Sequence, residues 1–114
     1  MRDIGVVLID LLDAIDAVRE ASSTATFQEF SNNRLSRLAA ERAIEIISEA
    51  VRHLPNEVFQ RHPDIPWNKI KAIGNILRHE YHRIAPKIIW DVVQFELDPL
   101  ERLIRVEAER LLDD

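Results

Sequence analysis

Long runs without a turn residue constrain this chain more than any other feature. Glycine occurs only twice and proline five times, so few positions can reverse the backbone and a few long helices are favoured over many short strands. Between Ile4 and Val18 the apolar residues Ile4, Val7, Leu8, Leu11, Leu12, Ile15 and Val18 recur at the three-and-four spacing of one helix face. The aperiodic run Ala21 to Thr26 reads as a loop, with Thr26 or Ser31 available to cap the next helix.

A second helix is expected from about Phe27 or Arg34 to Leu54, with Leu35, Leu38, Ala39, Ala43, Ile46, Ile47, Ala50, Val51 and Leu54 on its inward stripe. Pro55 opens a short extra helical turn, and His62-Pro63-Asp64-Ile65-Pro66 forces extended backbone. A third helix starts near Trp67 and buries Trp67, Ile70, Ile73, Leu77, Tyr81 and Ile84. Gly74 lowers its propensity by roughly 1 kcal/mol relative to alanine, which points to close packing or to a local departure from ideal geometry. The last helix, Pro86 to Leu112, turns Ile88, Ile89, Val92, Val93, Leu97, Leu100, Leu103 and Ile104 inward. Pro99 should kink or split it, with Asp98 placed to cap the second half. The expected fold is all-α, an up-and-down four-helix bundle with a proline-kinked C-terminal helix, formed as one domain over residues 1–114.

A chain of 114 residues can bury one core, so a deep cleft needs a second subunit. Hydrophobic residues at 46% and charged residues at 31% indicate a folded chain rather than a disordered one. Cysteine is absent, which excludes disulfides and thiolate metal sites. Asp10, Asp13 and Asp16 interrupt the first apolar stretch, so neither a signal peptide nor a membrane span is expected, and a cytoplasmic location is. The net charge of −5 opposes broad affinity for nucleic acid, so contact with RNA must come from a local basic patch.

The chemistry-bearing residues concentrate in Gly74 to Tyr81. At about 100° per residue, Asn75, Arg78, His79 and His82 share one arc opposite the apolar stripe. Any amphipathic helix presents a solvated polar face, so spacing alone does not single this arc out. Its residue types do: metal-independent cleavage of RNA needs a base for the 2′-hydroxyl, an acid for the leaving oxygen and a donor to the phosphoryl oxygens. His79 can move protons near neutral pH, Arg78 can donate to phosphate in a fixed fork, and Asn75 can orient a phosphate oxygen or His79. Zinc is a weaker reading, because His79 and His82 lack a third ligand nearby in sequence. His53 and His62 read as surface or capping histidines. No phosphate-binding glycine loop or nucleophile elbow occurs, and no cofactor is expected.

The stretch Glu41 to Ala50, followed by His62-Pro63-Asp64-Ile65-Pro66-Trp67, by Ile70 three residues after Trp67, by His79-Glu80-Tyr81 and by a proline-containing closing helix, resembles the HepT-like family of the HEPN superfamily. The resemblance implies a helical bundle, a homodimer and a ribonuclease toxin neutralised by a minimal nucleotidyltransferase of the MntA type, which transfers AMP onto the tyrosine of the His-x-Tyr motif, here Tyr81. The family pattern is an arginine, four residues, then His-x-Tyr, which puts Gly74 in the arginine slot, while Asn75 matches the asparagine that usually comes next. Arg78 is the substitute guanidinium that helix geometry offers. In a dimer with facing third helices, two copies of Arg78, His79, His82 and Arg83 line a shared basic cleft. Glu49 is a candidate partner for one of these cations, with plain solvent exposure the alternative.

Two readings of different class result. The first is a metal-independent endoribonuclease toxin with His79, Arg78 and Asn75 as catalytic residues, His82 and Arg83 as RNA contacts and Tyr81 as the modified position. The second is a catalytically degenerate module that binds a nucleotidyltransferase. A helical dimer without a site is the blandest possibility.

Overall fold

A computed structural model describes residues 3–22, 26–80 and 85–113, apart from the Glu80 side chain. The expected inward residues Tyr81 and Ile84, and the candidate site residues Tyr81, His82 and Arg83, lie outside the described residues. Helix α1 spans Ile4–Ser22 and buries Val7, Leu8, Leu11, Ala14, Ile15 and Val18, the face its periodicity predicts. Thr26 then starts α2 (Phe27–Asn32) through a capping box. The Glu29 amide donates to Thr26 Oγ1 at 3.1 Å and the Thr26 amide donates to Glu29 Oε1 at 3.0 Å, so two otherwise orphaned helix-end donors are satisfied reciprocally.

The second expected helix is in fact two, because both candidate starts are used. Asn33, in extended conformation, closes α2 and caps α3 (Arg34–Val51), accepting from the Ser36 amide at 3.0 Å. Ser31 lies inside α2 and caps nothing. The inward stripe of α3 is also rotated from the expected one. Ala43, Ile47, Ala50, Val51 and Leu54 are buried as expected, joined by Ala40, Ile44 and Ser48, whereas Leu35 (78% exposed), Leu38 (46%) and Ile46 (37%) face outward, as does Ala39. The physical reason is that α3 is sandwiched between α1 and α5, so its two buried flanks, not its most hydrophobic stripe, determine its rotation.

After α4 (Asn56–Arg61) and the extended His62–Pro66 connection comes α5, Trp67–Glu80. Trp67, Ile70 and Leu77 are buried and Ile73 packs against the core. Trp67 Nε1 donates to the His62 carbonyl at 2.9 Å, which fixes the start of α5 to the corner before it. The closing helix is interrupted at Glu96, dividing it into α6 (Pro86–Phe95) and α7 (Leu97–Asp113). Pro99 is the cause at one remove: it sits in the first turn of α7, where no amide is needed, and its ring denies a bond to the carbonyl four residues back, that of Phe95. Asp98 therefore lies within the first turn and pairs with Arg19 of α1 at 2.6 Å, instead of capping a helix that begins after it. Ile88, expected inward, is 48% exposed. Among the described residues the fold is all-α, a HEPN-like bundle of seven helices in which two of the four expected long helices are each broken once.

One buried polar cluster lies beyond the reach of local sequence patterns. Glu107 of α7 is 3% exposed and accepts two hydrogen bonds from the Arg61 guanidinium and one from His62, whose Nε2 lies at 2.8 Å. The Arg61 hydrogen bonds hold this carboxyl below the usual carboxylate range, outweighing the effect of burial, with His62 acting in the same direction. A depressed carboxylate contributes stability that is complete above its unfolded pKa, near 4.5, and is lost as pH falls through the folded value. Glu107→Gln is expected to lower stability at neutral pH by about 1–3 kcal/mol and to flatten the decline in melting temperature below about pH 4.5. Thermal melts of both proteins between neutral and acid pH check this. Parallel curves would show that Glu107 is not the group responsible.

Candidate active site

The site lies beside a close approach of α3 and α5. Gly74 is buried against α3, and a Cβ placed there would lie 2.5 Å from Ser48 Cβ and closer still to its Oγ. Ser48 Oγ donates to the Lys71 carbonyl at 2.9 Å, and Arg52 Nη2 donates to the same carbonyl at 2.9 Å. Glycine is thus needed at position 74 for the backbone approach, since its φ is negative and its backbone is ordinary helix. Any side chain at position 74 would start inside this helix–helix contact, against Ser48.

Directly after Gly74 the face of α5 opens. Asn75, Arg78 and His79 are all exposed, and Arg78 Nη2 donates to Asn75 Oδ1 at 2.6 Å. Arg78 Nη1 also lies 3.8 Å from Glu49 Oε2 on α3, whose Oε1 is 3.4 Å from His53 Nε2. His53, Glu49, Arg78 and Asn75 therefore form a chain of polar contacts across the two helices. The His79 side chain, adjacent to Arg78 in sequence, makes no hydrogen bond among the described residues and faces solvent. Asn75, Arg78 and His79 thus share one open face of α5 and Glu49 approaches Arg78 from α3, while the placement of Tyr81, His82 and Arg83 relative to them is outside the described residues.

Beside Arg78 a groove of about 240 Å³ runs between α1, α3 and α5, lined by Asp10, Arg42, Glu45, Ile46, Glu49 and Ala50. Motif reasoning does not single out Asp10, Arg42 and Glu45, because they lie on helices remote in sequence from α5. Ile46 (37% exposed) belongs to this lining, and Val6 (51%), Ile9 (67%) and Leu38 (46%) are further exposed apolar residues of α1 and α3. Val6 and Ile9 do leave a trace in the sequence, since they fall off the inward stripe of α1 yet are apolar. Among the described residues no three His, Asp or Glu side chains converge as a metal-holding group, and the weaker zinc reading cannot be assembled because His82 lies outside them.

A helical bundle that presents an amide, a guanidinium and an imidazole on one open helix edge is equipped for phosphate contact and proton transfer. The chain matches the HepT-like family, described as ribonuclease HepT-like, over residues 11–107. It is 31% identical over 105 residues to a candidate RNase of Methanocaldococcus jannaschii, covering 92% of this chain and 96% of that protein. It is also 30% identical over 94 residues to a candidate ribonuclease HepT of Thermococcus cleftensis, covering 82% and 86% of the two chains. No solved structure matches it significantly. The protein belongs to the HepT-like family of the HEPN superfamily, a family whose activity class is ribonuclease.

Proposed function

We propose that this protein is a metal-independent endoribonuclease toxin that works as a homodimer, with His79 as the acid–base residue, Arg78 as the donor to the phosphoryl oxygens and Asn75 as the group that orients Arg78. The observation that carries the reading is the 2.6 Å Asn75–Arg78 contact beside an exposed His79, on the helix whose usual arginine position is occupied by a buried glycine. The guanidinium is held by an amide one turn earlier, so it loses less rotamer freedom on meeting a phosphate. Glu49 acts through Arg78 as a positioning residue.

In the reaction the 2′-oxygen bonds to phosphorus and the bond from phosphorus to the 5′-oxygen breaks. An imidazole removes the 2′-hydroxyl proton, an imidazolium returns a proton to the leaving oxygen, and the guanidinium offsets the charge that develops between these events. Two copies of His79 across a dimer supply both roles. The exposed apolar residues Val6, Ile9, Leu38 and Ile46 of α1 and α3 support that assembly, because burying them against a second copy removes their surface from water. His82 and Arg83 serve as RNA contacts, and a cytoplasmic partner of the minimal nucleotidyltransferase type silences the toxin by transferring AMP from its nucleoside triphosphate to the Tyr81 hydroxyl, with pyrophosphate leaving. No described helix is long and apolar enough to cross a membrane.

Gly74 favours one further reading: a member that has kept the fold and partner binding but lost the reaction. RNA cleavage in chelator, by protein whose intact mass shows no adduct on Tyr81, separates the two when run beside His79→Ala and Arg78→Ala. Cutting that disappears in both variants supports the nuclease. No cutting by the unmodified protein, with binding of a nucleotidyltransferase retained, supports the degenerate module.

A further inference from the structure

Helix α5 is electrically unlike the rest of an acidic chain. Between Trp67 and His79 it carries Lys69, Lys71 and Arg78 and no carboxylate, although the whole protein has a net charge of −5. Lys69 is neutralised by Glu96 at 2.6 Å. The remaining polar residues Asn68, Lys71, Asn75, Arg78 and His79 fall within an arc of roughly 100° on an ideal helix. Asn68, Asn75, Arg78 and His79 are exposed and Lys71 is half-buried.

The edge is reinforced from α3 and α4. The Lys71 ammonium lies 4.2 Å above the Phe59 ring, which holds the long side chain in place. Arg52 is exposed and uses one of its five donors on the Lys71 carbonyl at 2.9 Å, leaving its fork beside α5 with further donors to offer. From Lys71 to Arg78 the helix rises roughly 10 Å, so Lys71, and Arg52 held at its carbonyl, are set off along the helix from Arg78 and His79.

We infer that this edge is a track for single-stranded RNA, on which Arg52 and Lys71 contact backbone phosphates while Asn68 and Asn75 offer amides to base edges. The inference rests on the ribonuclease reading of the Arg78–His79 end and extends it to how the substrate is held upstream or downstream of the cut. A single row of cations along one helix edge can follow one backbone, whereas duplex RNA is gripped across successive grooves by contacts spread over a wider surface. Unstacked bases of a single strand also expose the edges that asparagine amides can bond.

The test measures binding of a short labelled single-stranded oligoribonucleotide across a salt series, using the full chain in a His79→Ala background to prevent cleavage. Lys71→Met keeps the aliphatic stem over Phe59 and Arg52→Gln keeps one amide donor, so both variants should remain folded, and their thermal melts verify this. Each is expected to weaken binding several-fold at low salt and to reduce the slope of log K against log salt by about 0.7, the release expected for one single-strand phosphate contact. Lys69→Met, which removes a cation already paired with Glu96, should leave the slope unchanged. Slopes unaltered by Lys71→Met and Arg52→Gln, or no RNA binding at all, would overturn the track. Cleavage by the wild-type protein is scored separately: cutting with unaltered slopes refutes the track and leaves the nuclease standing, while altered slopes without cutting support the track and refute the nuclease.

Discussion

Replacing His79 by alanine is expected to reduce RNA cleavage by about 10²–10⁴-fold, the range that a positioned acid–base group contributes, while leaving the fold intact. The side chain is exposed and makes no hydrogen bond among the described residues, so its removal should change stability by less than about 0.5 kcal/mol. Arg78→Ala should cost roughly 10²–10³-fold, as loss of one preorganised donor does, and it also frees Asn75 and Glu49 from their shared partner. Single-turnover cleavage with saturating protein, read together with melting curves, separates a chemical defect from a folding defect. Cleavage by His79→Ala at the wild-type rate would move the chemistry away from this helix edge altogether.

Gly74→Arg is expected to unfold the site, even though the resemblance drawn from the sequence would place an arginine there. The new side chain must leave a Cβ position 2.5 Å from Ser48 Cβ, in a contact where α3 and α5 are joined by two hydrogen bonds to the Lys71 carbonyl. Overpacking of this kind together with an unpaired buried charge should lower stability by about 3 kcal/mol or more. The gain in helix propensity on leaving glycine, about 1 kcal/mol, offsets only part of that. Denaturant titration gives the loss directly, and pairing Gly74→Ala with Ser48→Gly should recover stability relative to Gly74→Ala alone, because the contact that glycine avoids is then removed from the other side. A Gly74→Arg protein as stable as wild type and faster at cleaving RNA would show that α3 and α5 can separate and that the arginine slot is usable after all.

How much of the molecule is legible in its sequence differs from element to element. The buried face of α1, the cap at Thr26, the rigid corner before Trp67 and the shared exposure of Asn75, Arg78 and His79 all arise from local rules, since capping, proline geometry and helical periodicity act within a few residues. The outward placement of Leu35, Leu38 and Ile46 does not. Periodicity locates side chains relative to one another around a helix, but not the number of neighbours that helix has or the sides on which they lie. The same gap hides the Glu107 cluster, whose carboxylate stands 46 residues from Arg61 in the chain and reads locally as one more charge on an amphipathic helix.

Gly74 draws the line between the two most clearly. Local reasoning can say that a glycine in mid-helix costs propensity and that close packing is one reason to keep it. Which residue it packs against, and hence that position 74 is walled off by Ser48 while position 78 opens onto solvent, was decided by the docking of α3 on α5. Sequence alone therefore determined where most of the helices lie, the cap at Thr26 and the set of chemically competent side chains, because those depend on short-range backbone preferences. Tertiary structure alone decided which of those side chains can reach a substrate, because reach depends on the distance between helices that are far apart in the chain.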